Sequence, residues 1–381
     1  MTTRRVAIVS ESFLPTLNGV TTSVVKLMEH LADAGHEAML VVPAAGSPRR
    51  YAGFPVHEVP ALAYRQFPVG LPNSLVSGLL ADFAPDVVHL ASPFLLGAQA
   101  IAAANRMGVP SVAIYQTDVS GYARRNRLAV ASSFAWRVVR WIHEGADLTL
   151  APSTTAIAAL ESAGVPRLGR WGRGVDLELY TPARRTSGPS LVLRERLAPA
   201  GETILGYVGR IAPEKSLERL AELAGLPGVQ LAIVGDGPAL PALRRALDGM
   251  PVHFLGALRG EALADAYGAL DLFVHTGTEE TFGQTLQEAH ASGLPVVAPA
   301  AGGPLDLIDT GVDGVLYDPA RDGTLREAVA PLATDAGARA RMGEAGRRRV
   351  LGRSWAALCD ELLGHYENVI AARRVPSLAH P

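Results

Sequence analysis

Residues 272–298 read LFVHTGTEETFGQTLQEAHASGLPVVA, and their order is strand, loop, helix, strand. Leu272–His275 and Val296–Ala298 are short apolar runs, and Gly293 ends the segment between them. Continuous apolar runs without alternation mark strands buried on both faces, as in parallel sheets.

The same rhythm extends in both directions. Further strand candidates are Val6–Ser10, Ala38–Val42, Val87–Leu90, Ser111–Tyr115 and Leu148–Ala151, then Ile204–Val208, Leu231–Val234 and Val252–Leu255. Helical patterns lie between them; Val20, Val24, Leu27, Met28 and Leu31 recur at helical spacing and Gly35 is a suitable stop. Two such series predict an α/β chain with two doubly wound, Rossmann-like parallel-sheet domains facing a cleft. The 381 residues agree with a prior of about 100–200 per domain. The polar stretch from Tyr180 to Pro189 is the expected boundary, giving domains 1–182 and 190–352. A last helix, about 355–372, is expected to return to the first domain. In such sheets ligands bind beyond the carboxyl ends of the strands.

Composition narrows the function classes. Apolar residues make up 48% and charged residues 19%, so cores can form and disorder is not indicated. A net charge of −2 removes the whole-chain basic signature of a nucleic-acid binder. A single cysteine, Cys359, excludes an internal disulfide and a multi-cysteine zinc site. The opening MTTRRVAIVSESFLP carries too short an apolar run for a signal core, and no stretch reaches 18 apolar residues. A cytoplasmic location is expected.

The chemistry-bearing residues gather where strands end. SESFLPTLNGVTTSVV turns from the first strand into a helix at Asn18-Gly19, where free N–H groups can hold a phosphate; an ordinary strand-to-helix turn explains it as well. No G-x-G-x-x-G follows, so the dinucleotide fingerprint is missing. In ILGYVGRIAPEKSLERL, Arg210 follows a strand and Lys215 opens the next helix, a fork and a mobile ammonium suited to pyrophosphate. Two solvated charges are the plainer alternative. Gly235-Asp236-Gly237-Pro238 is a tight turn.

Glu280 and Glu288 flank a helix start. Taken alone, they read as ordinary acids near a helix N-terminus. A glycosidase pair needs carboxyls ~5–9.5 Å apart, and eight residues of ideal helix already rise about 12 Å. Glu280 precedes the helix, so the separation stays open; two acceptors gripping hydroxyls along an extended ligand suit the arrangement better.

Together these motifs resemble the retaining glycosyltransferases of family 4, which have the GT-B fold. The resemblance spans nearly the whole chain. It rests on Glu280-TFGQTLQ-Glu288, on Gly209-Arg210 with Lys215, on the 234–238 turn, on Gly174-Val175-Asp176 and on Gly293-Leu294-Pro295-Val296-Val297. YQTDVSGYARRN and RGVD make it most similar to the actinobacterial GDP-mannose-dependent α-mannosyltransferases, which act on lipid acceptors such as phosphatidylinositol or glucuronosyl diacylglycerol. The resemblance implies a nucleotide-sugar donor and a lipid or glycan acceptor. Arg210 and Lys215 would bind the donor pyrophosphate, Glu288 the ribose hydroxyls and Glu280 those of the sugar. Phe282, Gly283 and Gln284 would offer backbone N–H groups, with Gly235 beside them, and Gly19 would let the first domain's backbone approach the phosphate. Gln116, Asp118 and Tyr122 are expected on the sugar and acceptor side.

One position departs from the family pattern. Where members often carry histidine in a Y-H-T-D-like segment, this chain has Gln116, which can bind a hydroxyl but cannot act as an imidazole base. Asp118 becomes the nearest acidic candidate, with a turn role equally open. No D-x-D motif ends a strand, so no cofactor or metal is expected, and protein charge must stabilise the leaving group. The alternatives are a UDP-sugar-dependent transferase of the same fold, an epimerase, or a non-catalytic nucleotide-sugar-binding module. Intact Arg210, Lys215, Glu280 and Glu288 argue against lost catalysis.

Residues 122–147 mix Arg124, Arg125, Arg127, Arg137 and Arg140 with Trp136 and Trp141. They read either as an element lying on an anionic membrane surface, at the inner face of the cell membrane, or as a helix burying Phe134, Val138 and Trp141. The core stripe is the favoured expectation.

Overall fold

A computed structural model describes residues 2–16, 18–64, 67–70, 74–116 and 129–374. The chain divides into two units, Met1–Gly172 with the segment from Ala356 onward, and Arg173–Trp355.

The first unit holds β1 (Arg5–Ser10), β2 (Glu37–Pro43), β3 (Arg50–Tyr51), β4 (Phe54–Val59), β5 (Ala61–Tyr64), β6 (Phe67–Gly70), β7 (Val87–Ala91), β8 (Ser111–Ile114), β9 (Leu148–Ala151) and β10 (Leu168–Arg170). Its main sheet runs β10-β9-β8-β7-β1-β2-β4-β3, parallel except for β3, with β5–β6 a separate antiparallel pair. The second unit holds β11 (Thr203–Val208), β12 (Val229–Val234), β13 (Val252–Gly256), β14 (Leu272–Val274), β15 (Val296–Pro299) and β16 (Gly314–Tyr317), in the parallel order β13-β12-β11-β14-β15-β16. In each sheet the winding reverses beside the first strand, between β1 and β7 and between β11 and β14. Those reversals are the switch points where such sheets take ligands.

Burial explains the winding. Successive side chains on a strand face opposite ways, so Val6 and Ile8 pack with Val24, Leu27 and Leu31, while Ala7 and Val9 pack with Leu80, Leu96 and Ala100. Leu358, Leu362, Tyr366 and Ile370, from helix Trp355–Arg374, join the first of these groups. In the second unit Ile204 and Val208 face one layer, and Leu205 and Tyr207 the other.

Three expectations are corrected. The stretch 180–189 is not where the chain leaves the first unit. Pro182–Thr186 and helix Gly188–Leu197 dock within the second unit, because Arg184 meets Asp265 at 3.3 Å and Arg185 and Arg194 both pair with buried Asp271. The crossing precedes Arg173, and Val175 N–H donates to the Arg353 carbonyl at 2.9 Å. Next, Lys215 does not open an α-helix; it closes the 3-10 turn Pro213–Lys215, and a second 3-10 turn, Leu217–Leu223, follows. Last, helix Ala129–Glu144 leaves Phe134 60% and Trp141 66% exposed. Among its described side chains Val139, Ile142 and His143 are buried, and Trp136 stacks on Tyr115 at 6.4 Å. The helix is thus rotated by about one residue, 100°, from the stripe expected.

Candidate functional site

At the second unit's switch point, the loop after β14 leads into helix Gln284–Ala291. Gly283 is its N-cap at φ 104°, a conformation that favours glycine. Phe282 is 2% exposed, packed among Leu286 and Leu307, so its side chain anchors the loop and only its backbone faces the helix start. Behind the loop lie Gly302 and Gly303. Gly303 N–H donates to the Glu280 carbonyl at 2.7 Å, and a Cβ on Gly302 or Gly303 would stand 2.4 or 2.1 Å from the carbonyls of Glu280 and Phe282. This Gly-Gly cradle was missed in the sequence, although two glycines just past a strand are its visible signal.

Lys215 Nζ lies 2.6 Å from Glu280 Oε2, with the two side chains 20% and 18% exposed. Thr276 holds the Lys215 carbonyl at 2.6 Å. Burial pushes the Glu280 carboxyl upward, but Lys215, His275 and Arg173 outweigh it and hold the group below its ordinary range. Glu280 is therefore a carboxylate. His275 and Arg173 are further residues that spacing did not reveal. The His275 ring is buried, stacks on Tyr207 at 6.4 Å and is pushed down to about 4 by burial. Arg173 is carried by a segment fastened to the same helix, with Gln287 donating to the Arg173 carbonyl at 2.8 Å and Gln284 to that of Gly174 at 3.0 Å.

Arg210 does not join this pair. Its side chain is 64% exposed and sits 3.6 Å from Glu214, while Tyr207 donates to its carbonyl at 3.1 Å. Gly235 serves packing: a Cβ there would stand 1.9 Å from the Gly209 carbonyl, so the loops after β11 and β12 meet backbone to backbone.

Glu288 sits one turn into the helix and differs from Glu280. Its Oε2 accepts from Tyr267 at 2.9 Å, and Tyr267 is buried edge-on against Tyr180. Burial raises the Glu288 carboxyl to about 7, with hydrogen bonds from Tyr267 and Gln284 opposing the rise. Two carboxyl groups eight residues apart are thus shifted in opposite directions.

In the first unit, Gly19 is the first residue of helix Gly19–Asp33, and Asn18 caps it by accepting from Thr21 N–H at 2.9 Å. Gln116 is buried after β8 and accepts from Ser23 at 3.4 Å. Glu11 was not singled out in the sequence; at the β1–β7 switch point it accepts from the backbone of Phe94 and Gly97 at 2.8 and 3.0 Å. Asp118 and Tyr122, with Arg124, Arg125 and Arg127, lie outside the described residues.

The family model Glycosyltransferase Family 4 matches residues 17–179, and Glycosyl transferases group 1 matches residues 192–349. The chain is 48% identical to a GDP-mannose-dependent alpha-mannosyltransferase of Mycolicibacterium smegmatis, covering 97% of this chain and 98% of that protein. It is 42% identical to the protein of that name from Corynebacterium glutamicum, covering 98% and 91%. Among solved structures, Alr3699/HepE of Anabaena in complex with UDP shares the fold at a TM-score of 0.80 and 21% identity, covering 96% of this chain and 100% of that one.

Proposed function

The chain belongs to the family-4 glycosyltransferases, with the GT-B fold, and on that premise we propose that it moves mannose from GDP-mannose onto a lipid or small glycan acceptor, with retention and without a metal. The observation that carries this reading is the Lys215–Glu280 pair at the carboxyl edge of the second sheet, beside the start of the helix that bears Glu288. The names of the relatives supply the donor.

In this reading Lys215 and Arg210 hold the pyrophosphate, helped by the backbone of Phe282, Gly283 and Gln284 at the helix start. Glu288 takes the ribose hydroxyls and Glu280 those of the mannose. Glu280 is held as a carboxylate, so it accepts hydrogen bonds and is poorly suited to deliver a proton. The acceptor oxygen bonds to the anomeric carbon on the face the phosphate leaves. The acceptor proton passes to the departing phosphate oxygen. Exposed Arg210 leaves its weak surface pair with Glu214, at 3.6 Å, to turn onto the ligand. Thermal shift and transfer assays with GDP- and UDP-sugars test the donor, since binding raises apparent stability. GDP-mannose is expected to shift and react, with EDTA leaving the rate unchanged. A shift with UDP-glucose alone, or loss in EDTA reversed by Mn²⁺, overturns the corresponding part.

Glu288 predicts a pH dependence. Accepting from ribose hydroxyls favours the carboxylate, so GDP affinity falls as pH drops below about 7, by up to about tenfold per unit. Glu288→Gln removes that slope, which calorimetry between pH 5.5 and 8 reads, taken as ~2.5 units around neutrality. The sign for stability is opposite. The folded carboxyl holds its proton more tightly than the unfolded one, so this group's contribution is lost as pH rises from 4.5 through about 7.

We also propose peripheral membrane contact through helix Ala129–Glu144, where Phe134 and Trp141 are exposed and Arg137 lies 5.8 Å over the Phe134 ring. Among the described residues no helix is long and apolar enough to cross a membrane. Seven residues, two turns, place Phe134 and Trp141 on one face. Trp141→Ala is expected to weaken sedimentation with anionic liposomes roughly 10- to 100-fold, from about 1.5–3 kcal/mol of lost burial. Unchanged sedimentation would dismiss this contact.

A further inference from the structure

His275 follows β14 directly, and its backbone N–H donates to the Val297 carbonyl at 2.8 Å. Its ring is 1% exposed and lies nearly parallel to Tyr207, at 16°. Neither ring nitrogen reaches full hydrogen-bond geometry among the described residues, although the Gly277 backbone lies close enough to favour the protonated ring slightly. A buried donor left without a partner loses its hydration and gains nothing in return, so each such group calls for an explanation. Nε2 stands 3.8 Å from Glu280 Oε2, the same oxygen that Lys215 Nζ meets at 2.6 Å. Gly277 keeps that space open, since a Cβ there would come within 3.2 Å of both His275 Nε2 and the Lys215 side chain.

Resting on the roles proposed above for Lys215 and Glu280, we propose that His275 is a positioning residue that takes hold of Glu280 when the donor draws Lys215 away. In the unliganded protein Lys215 and Glu280 satisfy each other. A pyrophosphate competes for the ammonium, and sugar hydroxyls compete for the carboxylate. One ammonium at 2.6 Å from Glu280 has to shift to serve the phosphates. Its departure leaves a partly buried carboxylate needing a donor. Nε2–H has only to approach by about 1 Å to reach hydrogen-bond distance. Burial keeps the imidazole neutral, so it carries a single N–H, and the tautomer with that proton on Nε2 serves Glu280 without adding charge. Its direction is fixed by the stack on Tyr207, whose hydroxyl also holds the Arg210 carbonyl. Tyr207 and His275 therefore brace the Arg210 loop against the Glu280 loop.

The test uses the full-length protein with GDP and GDP-mannose as probes. His275→Phe keeps a ring on Tyr207 and removes the donor; His275→Gln restores a donor. The phenylalanine variant is expected to bind GDP within about twofold of wild type while kcat falls about tenfold or more, the effect of losing one positioned donor. The glutamine variant is expected to regain part of kcat. In ¹⁵N-histidine spectra of the wild type, the Nε2–H of His275 is expected to move on addition of GDP, and not in Glu280→Gln. Wild-type kcat in His275→Phe, or an Nε2–H unmoved by GDP, overturns the inference alone. If the phenylalanine variant does not fold, the wild-type spectrum decides. Failure of the wild type to bind either probe overturns the functional reading and this inference with it.

Discussion

Glu280→Gln is expected to lower kcat about 10²-fold while GDP binds as tightly as before, or more tightly. The substitution keeps the shape of the side chain and removes its charge, and the two consequences run in opposite directions. In the free protein Glu280 competes with any pyrophosphate for Lys215, which it holds at 2.6 Å. Neutralising it frees the ammonium, so GDP loses nothing and gains an unoccupied cation. The sugar loses charge-assisted hydrogen bonds, roughly 1.5–3 kcal/mol each, together with the orientation they impose. A misplacement of about 1 Å at the reacting carbon alone costs up to 10²-fold. Initial rates at saturating GDP-mannose and calorimetry with GDP read the two effects separately. A kcat within threefold of wild type, or weaker GDP binding, contradicts the assignment. A covalent glycosyl adduct on any carboxylate contradicts the front-face route.

The two-domain plan was legible because its central strands are buried on both faces and so write themselves as apolar runs, as in Val6–Ser10 and Ile204–Val208. Strands at or near the rim are less regular. Phe54–Val59 contains Pro55, His57 and Glu58 and is only partly buried, and Leu168–Arg170 is three residues long. Neither leaves a period to read. TPARRTSGP has a linker's composition, but its arginines find Asp265 and Asp271, partners some 80 residues away that no local window includes. At the site, spacing marked Glu280 and Glu288 but not their charge states. Those depend on Lys215, 65 residues before Glu280, and on Tyr267 with burial around Glu288. Helix Ala129–Glu144 shows a further limit. Apolar residues line more than one of its faces, so the pattern fits two rotations, and only packing of Val139 and Ile142 selects one.

Lys215→Met is expected to be the most damaging single change, reducing kcat/KM about 10²–10³-fold, the scale of removing one preorganised group at a developing charge. Methionine keeps the length of the stem and leaves the phosphates to Arg210 and the helix start. It also strands Glu280, on which Arg173 still acts as a cation while its neighbour His275 is neutral. Removing one partner of a buried ion pair costs up to about 3–5 kcal/mol, so the thermal midpoint falls as well. Lost stability and lost chemistry are then confounded in the single variant. Adding Glu280→Gln separates them. With both charges gone the site is a neutral pair of similar volume, which is often no less stable than the ion pair. The double variant is expected to recover the midpoint and none of the activity, because neither replacement binds phosphate or sugar as its predecessor does. Differential scanning fluorimetry and transfer rates on the four proteins of this cycle give the coupling directly. Recovery of activity along with stability would mean that Lys215 matters only as the partner of Glu280. The pyrophosphate would then need another cation.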